Sequence, residues 1–254
     1  MEAIVSQGLT KSFDGGKTYA LKDFTVKIER GEFIAVIGLS GAGKSTFLRA
    51  INGTNPPGVG MLNVLGHDVP SMNNHQLTQV RKEIGFIFQQ FNLVKNITVL
   101  QNVLVGRVAY TPLWRSLTGI YSNADVHKAK AVLDSVGLNG RYDDLARNLS
   151  GGQQQRVAIA RALVQDPKII LADEPMASLD PKLSEVVLDI LKEVNEKQNI
   201  TVLVNIHVLE LAKRYAKRIL ALRQGHIIFD GPPVALTQEI LDEVYRVEGN
   251  LWKH

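Results

Sequence analysis

A glycine-rich loop between an apolar segment and a helical pattern constrains the fold of this chain more than any other feature. Residues 38–45 read Gly-Leu-Ser-Gly-Ala-Gly-Lys-Ser, and the apolar segment Phe-Ile-Ala-Val-Ile directly precedes them. Glycines allow the backbone to curl so that successive N–H groups point inward, and the helix that follows adds its positive N-terminal end. Both features attract phosphate oxygens. We therefore expect a buried strand, a phosphate-binding loop and a helix over residues 44–51, in that order.

Strand-like and helix-like patterns alternate along most of the chain. Apolar or alternating segments predict strands over residues 4–9, 24–28, 33–37, 61–65, 84–88, 168–173, 200–206, 218–222 and 226–230. Helical periodicity predicts helices over about residues 44–51, 75–81, 151–164, 182–196, 208–216 and 237–247. This alternation indicates an α/β fold with a mainly parallel sheet between helices, in which the earliest strands form an antiparallel β edge.

The stretch of residues 91–149 interrupts this alternation, because it contains no convincing strand pattern. Ser122 and Asp125 are typical of a capping box at the start of a helix, and Gly137 is typical of a helix end. The helix between them is expected to bury Val126, Ala129, Val132, Leu133 and Val136. We therefore expect an inserted helical lobe between the two halves of the α/β core.

Composition and charge exclude several other classes of protein. The 254 residues include no cysteine, so disulfide-stapled folds, thiolate metal sites and cysteine nucleophiles are excluded. The net charge is only +4 and no basic segment is interleaved with aromatic residues, so nucleic-acid binding is not expected. No segment reaches the about 18 apolar residues that a membrane-spanning helix needs. The chain is therefore expected not to cross a membrane by itself.

Two carboxylates, Asp173 and Glu174, follow the apolar segment of residues 168–172. At this point the carboxyl end of a parallel strand would meet the phosphate loop. Asp173, through water, and the Ser45 hydroxyl are expected to hold Mg²⁺, and Lys44 to contact the β- and γ-phosphates of a nucleotide. Glu174 would then orient or deprotonate a water that attacks the γ-phosphate. A nucleotide kinase or a GTPase would share the loop, but the chain contains no Asn-Lys-x-Asp guanine motif.

A second string, Leu-Ser-Gly-Gly-Gln over residues 149–153, continues as Gln-Gln-Arg-Val-Ala-Ile-Ala-Arg-Ala-Leu and resembles the signature motif of the ABC ATPases. Ser150 would cap a helix whose first turn exposes the N–H groups of Gly151 and Gly152, a second anion-binding end. One chain cannot aim both this end and the phosphate loop at a single γ-phosphate. The resemblance implies that two subunits pack head to tail, so that residues 150–153, including Gln153, complete the ATP site of the partner.

The resemblance to the ABC ATPases covers about residues 3–235 and implies one domain over residues 1–254 with a P-loop NTPase fold. A RecA-like core would comprise about residues 1–90 and 151–235, and the helical lobe about residues 91–150. A C-terminal helix would occupy about residues 236–254. ATP and Mg²⁺ are the implied substrate and cofactor.

Further site residues follow from the same resemblance. Phe13 resembles the aromatic residue that stacks on adenine, although it could instead face the core of an edge strand. Gln89 resembles the Q-loop glutamine that contacts Mg²⁺, with the adjacent Gln90 as the alternative, and His207 resembles the switch histidine that contacts the γ-phosphate. The residues expected to bind ATP are Phe13, Gly38, Leu39, Ser40, Gly41, Ala42, Gly43, Lys44, Ser45, Thr46 and Gln89. The expected metal ligands are Ser45, Gln89 and Asp173, and the expected catalytic residues are Lys44, Glu174 and His207. The D-loop, expected to lie between the subunits, comprises Ser178, Leu179 and Asp180.

An insertion at residues 106–117, Gly-Arg-Val-Ala-Tyr-Thr-Pro-Leu-Trp-Arg-Ser-Leu, is similar to a stretch in the ATPases of phosphonate importers. Met176 and the string Val-Asn-Ile-His at residues 204–207 also resemble that subfamily. The resemblance implies a protein at the cytoplasmic face of a membrane, bound to permease subunits and served indirectly by an extracytoplasmic substrate-binding protein. Two alternatives remain: an importer of phosphite, hypophosphite or another small anion, and an ABC regulatory module that does not transport. Tyr110 and Trp114 could also simply fill the core of the lobe.

The segment after Gln89 is rich in apolar residues, which predicts a docking surface for a cytoplasmic permease helix from Phe91 to about Trp114. The apolar residues at its start are Phe91, Leu93, Val94, Ile97, Val99 and Leu100.

Overall fold

A computed structural model describes residues 1–112, 114–115 and 119–246 of the chain. The strands are β1 (Glu2–Ser12), β2 (Tyr19–Glu29), β3 (Phe33–Ile37), β4 (Val59–Val64), β5 (His67–Asp68), β6 (Ile84–Ile87), β7 (Ile169–Ala172), β8 (Thr201–Asn205), β9 (Arg218–Arg223) and β10 (His226–Gly231). The helices are α1 (Lys44–Ile51), α2 (Asn74–Lys82), α3 (Val99–Leu104), α4 (Asn123–Ser135), α5 (Gly151–Leu163), α6 (Pro181–Gln198), α7 (Leu209–Tyr215) and α8 (Gln238–Val244). The expectation of a helix beyond residue 246 falls outside the described residues.

The central sheet has the strand order β10-β9-β3-β8-β7-β6. Five adjacent strands, β9, β3, β8, β7 and β6, run parallel to one another. The edge strand β10 pairs antiparallel with β9. Alternate residues of β3 face two different hydrophobic cores: Phe33, Ala35 and Ile37 lie in one, and Ile34 and Val36 in the other. A strand buried on both faces explains why this segment is continuously apolar.

The early strands are antiparallel, as expected, but they form a second sheet of their own with the order β2-β1-β4-β5. They do not extend the parallel sheet, because β1 pairs with β2 on one side and with β4 on the other. This sheet packs on α1, where the rings of Phe24 and Phe47 lie 4.4 Å apart between centroids. The second sheet thus covers the helix that follows the phosphate loop.

The helical lobe contains α3 and α4 and packs on α5. Ser122 caps α4 by accepting a hydrogen bond from the backbone N–H of Asp125 at 3.1 Å, as predicted. The Asp125 carboxylate, however, accepts hydrogen bonds from the Ser122 hydroxyl and from Arg107, so it does not close the expected reciprocal capping box. Ala129 and Leu133 are fully buried, and α4 is followed by Gly137 with a left-handed backbone (φ +73°).

The insertion begins with a 3₁₀ turn over Val105–Tyr110, and its polar contacts reach the lobe at Asp125 and the α/β core at Lys82 and Gln165. The Arg107 guanidinium stacks over the Tyr110 ring at 4.0 Å from its centroid, and the Tyr110 hydroxyl donates to the backbone oxygens of Lys82 and Gln165. Tyr110 and Trp114 are 42% and 63% exposed, so they do not fill the core of the lobe. The expected motif residues 113 and 116–118 lie outside the described residues.

Within the described part of the chain, no helix combines the length and the apolar character that crossing a membrane requires.

Candidate active site

The phosphate loop connects the end of β3 to the start of α1, and its shape depends on glycine. Gly38 and Gly43 have φ values of +142° and +107°, in the left-handed region that favours glycine. A Cβ atom on Gly38 would lie 2.2 Å from the Leu222 oxygen, and one on Gly43 would lie 2.2 Å from the Ala20 oxygen. Both positions therefore require glycine for space as well as for conformation, and the loop between them, with Leu39, Ser40 and Gly41 exposed, forms an open cradle.

Lys44 is the first residue of α1 and is only 4% exposed. Its ammonium donates hydrogen bonds to the backbone oxygens of Gly38, at 2.9 Å, and Leu39, at 3.0 Å. Burial lowers the pKa of Lys44, and the nearby carboxylates of Glu174 and Asp173 offset only part of this effect. The charge of Lys44 therefore lies inside the loop with little solvation, where phosphate oxygens can replace the two carbonyl groups.

Asp173 lies one residue beyond β7 and is the centre of a polar cluster built from three elements. Its Oδ1 accepts hydrogen bonds from Ser45 Oγ, at 2.6 Å, and from Asn205 Nδ2, at 2.7 Å. Its Oδ2 lies 3.5 Å from Nη2 of Arg49. The parallel sheet brings these groups together, because β7 and β8 end at the same edge, beside the loop that follows β3.

Glu174 and His207 form a second pair at this edge. His207 Nε2 lies 2.6 Å from Glu174 Oε1, and the Glu174 backbone is left-handed, with φ +50°. Both side chains line a cavity of about 500 Å³, together with Asn205 and residues of α6 and α7. The structure thus brings Glu174 and His207 together, with the Glu174 carboxylate near enough to Lys44 to oppose the lowering of its pKa by burial.

The residues around Asp173 fit a magnesium ion. Mg²⁺ prefers oxygen ligands and usually binds to one or two protein groups while substrate phosphates and water fill the other positions. The Ser45 hydroxyl and the Asp173 carboxylate supply two adjacent oxygen atoms beside the loop. Gln89, the third expected ligand, is exposed two residues beyond β6, and it lines a cavity of about 390 Å³ with Gln90.

The signature segment opens α5 with a complete capping box. Ser150 Oγ accepts a hydrogen bond from the backbone N–H of Gln153, and Gln153 Oε1 accepts one from the backbone N–H of Ser150. Gly151 is exposed, and a Cβ atom on it would meet no atom closer than 3.7 Å. Gly152 is buried, and a Cβ there would lie 2.9 Å from Leu183. The first turn of α5 therefore presents its backbone to the surface at Gly151.

Within the described residues, no hydrogen bond or salt bridge joins residues 150–153 to the phosphate loop. The D-loop lies beside the signature instead: the closest atom to a Cβ on Gly151 belongs to Leu179. Ser178 is exposed, and Asp180 caps α6 by accepting from the backbone N–H of Leu183 at 3.0 Å. The phosphate loop and the exposed first turn of α5 are thus two separate surfaces of the described chain.

Phe13 lies one residue beyond β1 and is 65% exposed, with the Lys11 ammonium 5.4 Å from its ring centroid. It therefore does not face the core, which was the alternative interpretation.

The expected docking surface is smaller than the sequence suggests. Val99 is fully buried in α3 and Leu93 packs against the main core, whereas Val94 is 54% exposed.

The sequence did not predict the roles of two residues: Asn205, which contacts Asp173, and Arg161, which contacts the segment after Gln89. In the sequence, Asn205 is distinguished only as part of the string Val-Asn-Ile-His. An amide at the end of an apolar strand is the feature that indicates a polar contact there. Arg161, on α5, donates from Nη1 to the Asn92 oxygen at 2.6 Å and from Nη2 to the Phe91 oxygen at 2.9 Å. Burial lowers the pKa of Arg161. It thereby connects the signature helix to the segment that follows Gln89.

Comparisons with known proteins identify the family of this chain. The model of the ABC transporter family matches residues 21–177, more than half of the chain. A solved structure of a dimeric ATP-binding cassette in a post-hydrolysis state, bound to ADP and Pi, is 36% identical with a TM-score of 0.80, and the match covers 91% of this chain and 98% of that one. The chain therefore belongs to the ABC transporter family, and it is an ATP hydrolase of a transport complex. The resemblance and the P-loop NTPase fold inferred from the sequence are confirmed.

Two relatives narrow the comparison further. The phosphonates import ATP-binding protein PhnC of Staphylococcus epidermidis is 44% identical over 245 residues, which are 96% of this chain and 95% of that protein. The protein of the same name from Lactobacillus gasseri is 47% identical over 237 residues, which are 93% of this chain and 90% of that protein. These matches extend over both the α/β core and the helical lobe.

Proposed function

We propose that the chain powers the import of phosphonates, as the ATP-hydrolysing subunit that permease subunits hold at the cytoplasmic face of a membrane. The observation that carries the chemistry is the meeting of Ser45, Asp173, Glu174 and His207 beside the phosphate loop that contains Lys44. The transported compound is supported by the similarity to two phosphonates import ATP-binding proteins over 93% and 96% of the chain. The site itself recognises ATP and not the cargo.

ATP would bind with its β- and γ-phosphates in the phosphate loop. The N–H groups at the start of α1 would donate to phosphate oxygens, and Lys44 Nζ would exchange the carbonyl groups of Gly38 and Leu39 for phosphate oxygens. This exchange is favourable, because a buried ammonium gains a full negative charge in place of two dipoles. Phe13, exposed near the end of β1, supplies a face on which the adenine ring can stack.

Ser45, Asp173 and Gln89 would hold Mg²⁺ between the loop and the Q-loop. When bound, the ion supplies charge neutralisation at the β- and γ-phosphates. Asp173 is already oriented for this role, since hydrogen bonds from Ser45 and Asn205 fix its Oδ1.

Hydrolysis requires a water oxygen to attack the γ-phosphorus while the bond from phosphorus to the β–γ bridging oxygen breaks. Glu174 would accept the proton of the attacking water, and ADP would leave with the bridging oxygen. His207, whose Nε2 lies 2.6 Å from Glu174 Oε1, would orient this carboxylate before ATP binds, and it would donate the same N–H to a γ-phosphate oxygen once ATP is bound. An intact Glu174 and His207 favour a hydrolysing subunit over a regulatory module that only binds nucleotide.

A second copy of the chain would complete each site. Ser150, Gly151 and Gly152 present the exposed N-terminal end of α5, and a helix end of this kind stabilises a negative charge. Head-to-tail packing would place that end against the γ-phosphate held by the partner. The D-loop, beside Gly151, would then lie in the same interface.

Two measurements test the proposal. The purified chain should hydrolyse ATP only with Mg²⁺, and Lys44→Ala should abolish nucleotide binding, whereas the control Lys213→Ala, at an exposed lysine of α7, should match the wild type. A host that lacks the gene should lose growth on a phosphonate as the sole phosphorus source and keep growth on phosphate. Loss of growth on phosphite or hypophosphite alone would favour the alternative importer. Undiminished ATP binding by Lys44→Ala would refute the assignment of the loop.

A further inference from the structure

Asn205 is an unusual residue for its position. It ends β8, a strand in which every residue is buried, and it is itself 0% exposed. Its neighbours along the chain, Val204 and Ile206, belong to the hydrophobic core. Burying an amide in such surroundings destabilises a protein unless both ends of the amide are hydrogen-bonded.

Among the residues that the structure describes, only one end of the Asn205 amide has a hydrogen-bond partner. Nδ2 donates to Asp173 Oδ1 at 2.7 Å. The amide cannot be turned the other way, because a carboxylate oxygen accepts and does not donate, and two oxygens would then face each other. Asn205 Oδ1 is buried, and no donor among residues 1–112, 114–115 and 119–246 lies within hydrogen-bond distance of it.

The location of this amide indicates what could occupy the free acceptor. Asn205 lines the same cavity of about 500 Å³ as Glu174 and His207. Its donor end holds the oxygen of Asp173 that also accepts from Ser45. The amide therefore lies between the expected metal-binding groups and the expected catalytic pair.

We infer that Asn205 is a positioning residue for the metal-binding carboxylate. Its Nδ2 fixes the orientation of Asp173, and its Oδ1 accepts a hydrogen bond from a water molecule that enters the site with Mg²⁺ and ATP. The inference rests on the proposed function, and it adds a group that tunes how tightly the site holds a divalent cation. Partners of metal-binding carboxylates typically change metal affinity by about 10- to 100-fold when they are removed.

The chain offers a matched control in Asn195. This asparagine, on α6, is 3% exposed, and its Nδ2 donates to the backbone oxygens of Gly31, at 2.9 Å, and Ile200, at 2.7 Å. It does not line the cavity that contains Glu174 and His207. The same substitution at both positions removes a buried amide, but only one of them contacts Asp173.

The experiment compares Asn205→Leu with Asn195→Leu in the full-length protein. Leucine keeps the branched shape of asparagine and removes every hydrogen bond of the amide, one at Asn205 and two at Asn195. Mn²⁺ serves as a spectroscopic substitute for Mg²⁺, and electron paramagnetic resonance measures its affinity in the presence of a non-hydrolysable ATP analogue. We expect Asn205→Leu to weaken Mn²⁺ binding by about 10-fold or more. Asn195→Leu should lower the melting temperature and leave the Mn²⁺ affinity within twofold of the wild type.

ATP binding in EDTA separates this inference from a failure of the fold. Asn205→Leu should bind ATP without metal as tightly as the wild type, because the phosphate loop is intact. Asn205→Ala, which removes the amide without adding bulk, provides a second variant and should weaken Mn²⁺ binding to a similar extent. Wild-type Mn²⁺ affinity in either folded variant would overturn the inference. If the wild type bound neither ATP nor Mn²⁺, the proposed function itself would be refuted.

Discussion

Replacing Glu174 by glutamine should separate ATP binding from hydrolysis. Glutamine keeps the length and branching of glutamate, so the cost of the left-handed backbone at this position, φ +50°, is the same for both residues. The amide oxygen can still accept the hydrogen bond from His207 Nε2, which lies 2.6 Å from the carboxylate in the wild type. The fold and the phosphate loop are therefore expected to remain intact, and only the proton acceptor is lost.

The size of the effect follows from the role of Glu174. Positioned proton transfer contributes about 10²–10⁴-fold to a rate, which corresponds to about 3–5 kcal/mol in the activation free energy. Steady-state release of phosphate should fall by that factor, while the affinity for ATP changes little. Because ATP is bound and not consumed, a head-to-tail dimer should accumulate with ATP, which light scattering can detect.

A control at the same cavity sharpens the test. Glu185 also lines the cavity, but its carboxylate pairs with Arg214 at 3.0 Å. Glu185→Gln should hydrolyse ATP at nearly the wild-type rate. If Glu174→Gln retained hydrolysis within tenfold of the wild type, Glu174 would not be the general base, and His207 would be the next residue to test.

Three further predictions follow from the contacts described above. Mixing Lys44→Ala with Gly151→Asp should give more ATPase activity than the sum of the two separate variants, because one site of the mixed dimer is intact. The Gly151→Asp variant should fold, since the open space at Gly151 admits the added carboxylate. Activities that merely add would refute sharing of sites between subunits. Val94→Arg should keep the melting temperature and the basal ATPase activity but abolish transport by the assembled complex, since Val94 is 54% exposed; a folded variant that still transports would exclude docking there. Arg107→Met should lower the free energy of unfolding by about 1–3 kcal/mol, as measured by denaturant melts, because it breaks the 2.7 Å contact with Asp125. Burial raises the pKa of Asp125, but hydrogen bonds from Ser122 and Arg107 outweigh this effect and lower the pKa below 3.8. The stabilisation is therefore complete above pH 3.8 and is lost as the pH falls through the folded-state pKa. If the difference in unfolding free energy between the wild type and Arg107→Met stayed constant into strong acid, the assignment would be contradicted.

Local patterns predicted the central elements of the fold well. The bounds of β3 and α1 agree with the sequence analysis because the glycine loop between them requires a strand before it and a helix after it. The positions of Asp173 and Glu174 at a strand end could also be predicted, since the end of an apolar segment is visible in the sequence. Parallel strands then place such ends along a single edge of the sheet.

Long-range contacts could not be predicted in the same way. The pairing of β1 with both β2 and β4 depends on which strands have free edges, and no local pattern records this. The hydrogen bond from Asn205 to Asp173 joins the last residue of β8 to the residue that follows β7, and the register of these two strands is set only in the folded sheet. Arg161 looked like an ordinary helix residue, because its partners are backbone oxygens, which leave no trace in the residue types of the loop.

The contacts of Arg161 connect the helix that begins at the signature to the segment that follows Gln89. Its guanidinium holds the carbonyl groups of Phe91 and Asn92, directly after Gln89, while the opposite end of the same helix begins at Ser150. A half-buried guanidinium with two charge-assisted hydrogen bonds resists separation from its partners. A displacement of the segment after Gln89 would therefore move α5 with it as a rigid element, and with it the exposed turn at Gly151. In the proposed dimer, the occupancy of one ATP site would in this way change the position of the signature that closes the other.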